Sequence, residues 1–151
     1  MDRLTAPLAA HHKACDEDFA SVEEAVSEGQ WRQAETLLPS FSNALETHFA
    51  VEEERLFPAF EARTGMTGGP TRMMRMEHMQ MRSLLADLAA ALAAKDRDEF
   101  LGNAETLLLL MQQHNMKEEN ILYPMCDQAL GAEANTLGPA IVAALAAEAG
   151  T

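Results

Sequence analysis

Apolar and histidine positions recur every three to four residues along almost the whole chain, the period of a helix rather than a strand. From Ala6 to Glu28 the inward series is Leu8, His12, Cys15, Phe19, Val22 and Val26, with Thr5 placed as N-cap and Gly29 as the stop. A displacement of 66 residues (78 − 12) carries this series, without a gap, onto Met74, His78, Met81, Leu85, Leu88 and Leu92. The third helix, from about Thr71 to Lys95, is therefore expected to repeat the first. The second runs from about Gln30 to Glu61, bent near Pro39, with Phe41, Leu45, His48, Glu52 and Leu56 inward. Its counterpart runs from Asp96 to about Leu130, with Leu107, Met111, His114, Glu118 and Leu122 on the same face. Asp96-x-x-Glu99 reads as a capping box and Gly131 as a terminator. Pro58 and Pro124 fall late in their helices, where each removes a hydrogen bond and should bend the helix end.

An Ala-rich segment from about Pro139 to Ala147 adds a short final helix. The loops are short, so neighbouring helices should run antiparallel. The expectation is all-α: an up-down-up-down four-helix bundle with a short C-terminal extra helix. It would form one domain over 1–151, with helix pairs 6–61 and 71–130 as an internal repeat.

Composition sharpens this. The 151 residues are 48% hydrophobic, enough for one real core, and only 5% aromatic, which favours helices built on Ala, Leu and Met. A net charge of −13 argues against nucleic acid and against an anionic membrane surface. No run of eighteen apolar residues exists, so no membrane-spanning segment is expected. Met1 to Thr5 leads straight into a helix containing His11, His12 and Lys13, so a secretory leader is not expected. Cys15 and Cys126 do not suggest a disulfide framework and read as core. A cytoplasmic protein is the resulting expectation.

The chemistry lies in a motif that occurs twice. His48-x-x-x-Glu52-Glu53 closes with Leu56-Phe57-Pro58, and His114-x-x-x-Glu118-Glu119 closes with Leu122-Tyr123-Pro124, again 66 residues on (114 − 48). Residues four apart lie about 40° apart around a helix, so each His and its Glu reach one point. With His12 and His78 this makes four imidazoles and two carboxylates, a ligand chemistry suited to two metals inside a helix bundle. No Lys or Arg shares those inward faces, so Glu52 and Glu118 would be costly to bury without a cation. Imidazole with carboxylate suits iron, manganese or zinc, and the absence of paired thiolates argues against structural zinc or an iron–sulfur cluster.

Other residues divide between packing and chemistry. His11 is turned about 100° from His12 and is left out of the ligand set, toward the rim. Glu53 and Glu119 lie about 140° from their histidines and read as surface or supporting groups. Met74 and Met81 fit the core stripe, whereas Met73, Met76 and Met79 point elsewhere. Tyr123 stands where the first copy has Phe57; its hydroxyl is open to hydrogen-bonding a bound ligand or to packing at the bundle end. Trp31 reads as an anchor for the first inter-helix turn.

These motifs resemble the hemerythrin-like, or HHE cation-binding, family from roughly Leu8 to Leu130. By position, the resemblance implies His12, His48, Glu52, His78, His114 and Glu118 as ligands of a bridged non-haem pair of iron ions, iron being preferred to manganese or zinc. Oxygen-carrying hemerythrins have a second histidine four residues after the third-helix one; here that position is Arg82. Four histidines and two glutamates also resemble the bacterial iron–sulfur repair and nitric-oxide-response proteins, which carry an additional N-terminal cysteine-bearing domain. The first functional expectation is a diiron protein that binds a small diatomic, O2 or NO, for sensing, storage or delivery. The alternatives are a diiron enzyme or iron donor in nitric oxide or oxidative stress response and cluster repair, or a metal-storage bundle. A protein partner or a homodimer is left open.

Overall fold

The computed structural model describes residues 3–149; Met1, Asp2, Gly150 and Thr151, which the single-domain expectation includes, lie outside the described residues. All regular structure among the described residues is helical. Helix α1 spans Ala6–Ser27 and α2 spans Trp31–Val51. A π-helical segment, Glu52–Leu56, then leads into α3, Phe57–Thr64. Helix α4 covers Pro70–Ala93 and α5 covers Arg97–Lys117. A second π segment, Glu118–Leu122, leads into α6, Tyr123–Ala129. After a 3₁₀ turn at Gly131–Glu133, α7 runs over Ala134–Ala149. Helix α1 packs on α2 and α5, and α4 packs on α5 and α2, closing a helical bundle; α7 lies against α2.

The structure shows how the hydrogen bond lost at each proline is accommodated. Neither Pro58 nor Pro124 ends its helix. Instead the backbone N–H of Phe57 bonds the carbonyl of Glu52, and that of Tyr123 bonds the carbonyl of Glu118, each five residues back. A proline ring collides with the carbonyl four residues earlier and donates no hydrogen bond. The wide turn absorbs both problems and lets the helix continue. It also puts each glutamate at the start of a π segment, a distortion that clusters at functional sites.

Three termini differ from their sequence reading. Thr5 precedes α1 but forms no side-chain cap; its hydroxyl and N–H donate to the Asp127 carboxylate at 2.7 and 3.0 Å. The capping box is half formed: Asp96 accepts from the Glu99 N–H at 3.1 Å, while the Asp96 N–H turns back to the Ala91 carbonyl. Gly131 does not terminate a helix in a left-handed conformation; it opens the 3₁₀ turn, and α7 begins ahead of Pro139, which lies inside it.

The core falls into two apolar clusters. One holds Cys15, Phe19, Phe41, Phe49, Met81, Phe100, Leu107 and Met111. The other holds Leu8, Leu56, Phe57, Met74, Leu122, Cys126 and Ile141. Between them, one turn from Leu8 and Met74 on one side and from Cys15 and Met81 on the other, lies a layer of buried polar side chains. Trp31 packs half-buried against the first cluster, and Met73, Met76 and Met79 are exposed.

Candidate metal centre

The polar layer consists of His12 from α1, His48 from α2, His78 from α4, His114 from α5, and Glu52 and Glu118 from the π segments. All six are buried, Glu52 and Glu118 completely. Their donor atoms form two overlapping groups: His12, His48, Glu52 and Glu118, and Glu52, His78, His114 and Glu118. Within each group one donor atom per residue lies within 4.8 Å of all the others. We call these the first and second positions; the two glutamates belong to both. All six residues singled out from the sequence are thus brought together.

The orientation of the imidazoles is as informative as their proximity. A carboxylate can only accept, so a ring nitrogen facing one carries the proton. His12 Nδ1 donates to Glu119 Oε2 at 2.8 Å, His78 Nδ1 to Glu53 Oε2 at 2.6 Å, and His114 Nδ1 to Glu77 Oε1 at 2.7 Å. His48 Nδ1 faces His11 Nδ1 at 2.9 Å. Every Nδ1 is tied outward, and every Nε2 points into the layer. Tying Nδ1 outward aims Nε2 at a metal, the arrangement typical of ligating histidines. Without metal, His12 Nε2 instead bonds Glu118 Oε1 at 2.9 Å, through a proton that a cation would displace.

Inside the layer several polar atoms lack partners. Glu52 Oε1, Glu118 Oε2, His78 Nε2 and His114 Nε2 are buried without a hydrogen bond. His78 Nε2 approaches Glu52 Oε1 at 3.1 Å, and His114 Nε2 approaches Glu118 Oε1 at 3.3 Å, without hydrogen-bond alignment. Buried, unpaired groups of this kind are costly. A divalent cation between them would satisfy both lone pairs and charge, so the residues fit a metal.

The electrostatics agree. Burial opposes a charged ring at His114, but the carboxylates of Glu118, Glu52 and Glu77 outweigh it and raise the imidazole to about 9. His12 and His78 are likewise depressed by burial and then raised further by Glu118 and by Glu52 with Glu53, respectively. His48 differs: burial dominates and drops it to about 4. Burial also pushes Glu53 up, yet its bonds with His78 and Arg82 hold it down at about 2. Without metal, protons held by these imidazoles compensate the buried carboxylates.

Three contributors were not singled out as part of the set. His11, left at the rim, is half-buried and supports His48. Glu77 supports His114 and is paired with Lys117. The 66-residue offset that relates the ligands also carries His11 onto Glu77 (77 − 11), so applying it to the neighbours of His12 would have found both. Tyr123, whose role was open, places its hydroxyl in the layer, 2.7 Å from Glu52 Oε2 and 3.2 Å from Glu118 Oε1. Arg82 binds Glu53 and Glu46 and lies over the Phe49 ring.

A fold of this kind around a buried His/Glu group defines a helical metal-binding protein. The chain belongs to the hemerythrin HHE cation-binding domain family, whose family model matches residues 3–126. Comparison with curated proteins and with solved structures gave no significant match. Among the described residues no single helix is long and apolar enough to cross a membrane.

Proposed function

We propose that this chain is a single-domain, up-down-up-down four-helix bundle with an internal repeat, and that it holds a pair of iron ions. His12 and His48 would serve the first position, His78 and His114 the second, with Glu52 and Glu118 shared. The function we infer is reversible binding of a small diatomic, O2 or NO, for sensing, storage or delivery in the cytoplasm. The observation that carries this reading is the common orientation of the four imidazoles, each with Nε2 inward toward two shared buried carboxylates. Six protein ligands leave two ions short of full coordination, and an iron pair supplies open sites and redox chemistry for a diatomic. Phe49, stacked on His78 at 4.1 Å between centroids, and Phe57 keep water from that side.

One observation favours a second, enzymatic reading in which NO or peroxide is consumed. The Tyr123 hydroxyl is a proton donor buried inside the site, where a reduced ligand would need one. The net charge of −13 supports a partner that is neither nucleic acid nor an anionic membrane.

The test is elemental analysis of protein purified without added metal, with an absorption spectrum in air and then after reduction and exposure to O2 or NO. About two irons per chain and a reversible spectral change on ligand addition support binding. Steady consumption of NO or peroxide supports the enzyme. Zinc alone, or no metal, overturns both.

A further inference from the structure

The six proposed ligands obey the 66-residue offset, but the groups around them do not. Glu53 and Glu119 correspond (119 − 53), each accepting from the first histidine of the opposite copy. Yet Glu53 is gripped by Arg82, whereas the residue corresponding to Arg82 is Asp16 (82 − 66), and Glu119 has no Lys or Arg partner among the described residues. The Glu119 side chain is 42% exposed against 25% for Glu53. The second mismatch is His11 opposite Glu77. Glu77 takes the His114 Nδ1 proton and is itself held by Lys117, which has Val51 as its counterpart (117 − 66). The third is Tyr123 opposite Phe57 (123 − 66).

All three mismatches fall on the same side. Supports of the second position are carboxylates clamped by cations. Supports of the first are an exposed glutamate with Asp16 as its charged neighbour and an imidazole. For His48 to offer Nε2 to a metal, its own proton must sit on Nδ1 and His11 Nδ1 must accept it. That nitrogen has one lone pair, and the Cys15 thiol approaches it as well, at 3.7 Å. An imidazole is a weaker acceptor than a carboxylate, so His48 is the least firmly aimed of the four. The Tyr123 hydroxyl adds competition. It lies 3.3 Å from His12 Nε2, 3.4 Å from His48 Nε2, 2.7 Å from Glu52 and 3.2 Å from Glu118, which is every residue of the first position. A metal entering there must take these donors from the phenol. The second position meets the phenol only at the two shared glutamates; Phe57 offers no such competition to His78 or His114.

Resting on the two-metal reading above, we propose that the two metal positions are unequal by construction. The first, flanked by His11 and Tyr123, is an exchangeable position that fills last and empties first. The second is the permanent one. His11 and Tyr123 are the residues that set the difference.

The test loads the full-length metal-free protein with iron(II) anaerobically, confirms the stoichiometry by elemental analysis, and follows extraction by a chromogenic iron(II) chelator. Two equal phases are expected, the first about tenfold or more faster than the second, the scale on which supporting groups change metal affinity. His11→Glu and Tyr123→Phe should each slow the fast phase and leave the slow one alone. Glu77→His should do the reverse, speeding the slow phase toward the fast one. The three variants report independently, so a folding failure in one leaves the others to decide. Two ions leaving in one phase, or a fast phase indifferent to both His11→Glu and Tyr123→Phe, overturns the inference while leaving the two-metal reading intact. A wild-type protein that never takes up a second ion overturns both.

Discussion

The Tyr123 hydroxyl donates a 2.7 Å hydrogen bond to Glu52 Oε2, and both side chains are buried, at 2% and 0% exposure. It is the only tyrosine in the chain, set where the other copy of the motif has phenylalanine. A buried carboxylate that loses its donor keeps its full desolvation cost, about 1–3 kcal/mol. Tyr123→Phe should therefore destabilise the metal-free protein by about that amount. The metal-loaded protein should lose clearly less, because the cation takes over the Glu52 oxygens. Urea unfolding of the two forms checks this; equal losses would mean that the phenol serves the fold alone.

Metal-free stability should peak near pH 6.5. The His114 imidazole is raised in the fold to about 9, so it holds a proton that the unfolded chain has released above pH 6.5. Stability from that group is complete below pH 6.5 and is lost as pH climbs to about 9. His12 and His78 are shifted in the same direction and add to the loss. His48 acts oppositely: depressed to about 4, it stays neutral while the unfolded chain takes up a proton, so stability falls as pH drops from 6.5 toward 4. Metal must displace the imidazole protons, so its affinity should rise with pH up to about 9. Denaturation midpoints across pH 4–9.5, with and without metal, test both slopes; a metal-free protein whose stability rises between pH 7 and 9 would contradict the assignment.

Glu53→Ala should weaken metal binding by roughly ten- to a hundredfold without removing any ligand. The change deletes the acceptor that fixes the proton on His78 Nδ1 and leaves Arg82 with Glu46 alone. Glu54, its exposed neighbour on the same π segment, supplies the control: Glu54→Ala should leave affinity unchanged. Competition with a chromophoric chelator reads both. Identical affinities for the two variants would reduce Glu53 to a surface charge.

The parts of the site legible in the sequence are those that obey periodicity. His12 and His78 sit on the apolar stripe of their helices, and His48 with Glu52 and His114 with Glu118 satisfy i, i+4 spacing. Helical geometry alone therefore brings them inward. Supporting contacts are made between helices rather than along one. Glu119 on the second π segment reaches α1, Glu53 reaches α4, and Glu77 on α4 reaches α5. No spacing rule within a helix reports such a contact, which is why Glu53 and Glu119 stayed open between surface and supporting roles and His11 read as rim. The π segments were hidden for another reason. Pro58 and Pro124 signal a broken backbone bond, but whether the chain bends or widens depends on what packs around it. Here two buried glutamates are held in place through the widened turn.

Lys95→Gly should stabilise the protein by about 0.5–1 kcal/mol, the left-handed penalty of a side chain less the extra unfolded freedom of glycine. Lys95 is the one non-glycine residue with positive φ among those described, at 53°, just beyond the end of α4. Gly29, 66 residues earlier (95 − 29), performs the same task after α1 at φ 72°. Both turns close alike: the Gly29 and Lys95 amides bond the carbonyls of Val26 and Leu92, and the next amides reach back to Ala25 and Ala91. This is a helix end that favours glycine at its left-handed residue. Lys95 is exposed, so the substitution costs no packing. For a chain of this size the melting temperature should rise by about 1–4 °C. Ala94→Gly, one residue earlier in right-handed conformation at φ −82°, should destabilise instead. Calorimetry on the pair separates the two cases; a Lys95→Gly protein that melts lower than the parent would show that the lysine side chain contributes more to the turn than its backbone conformation costs.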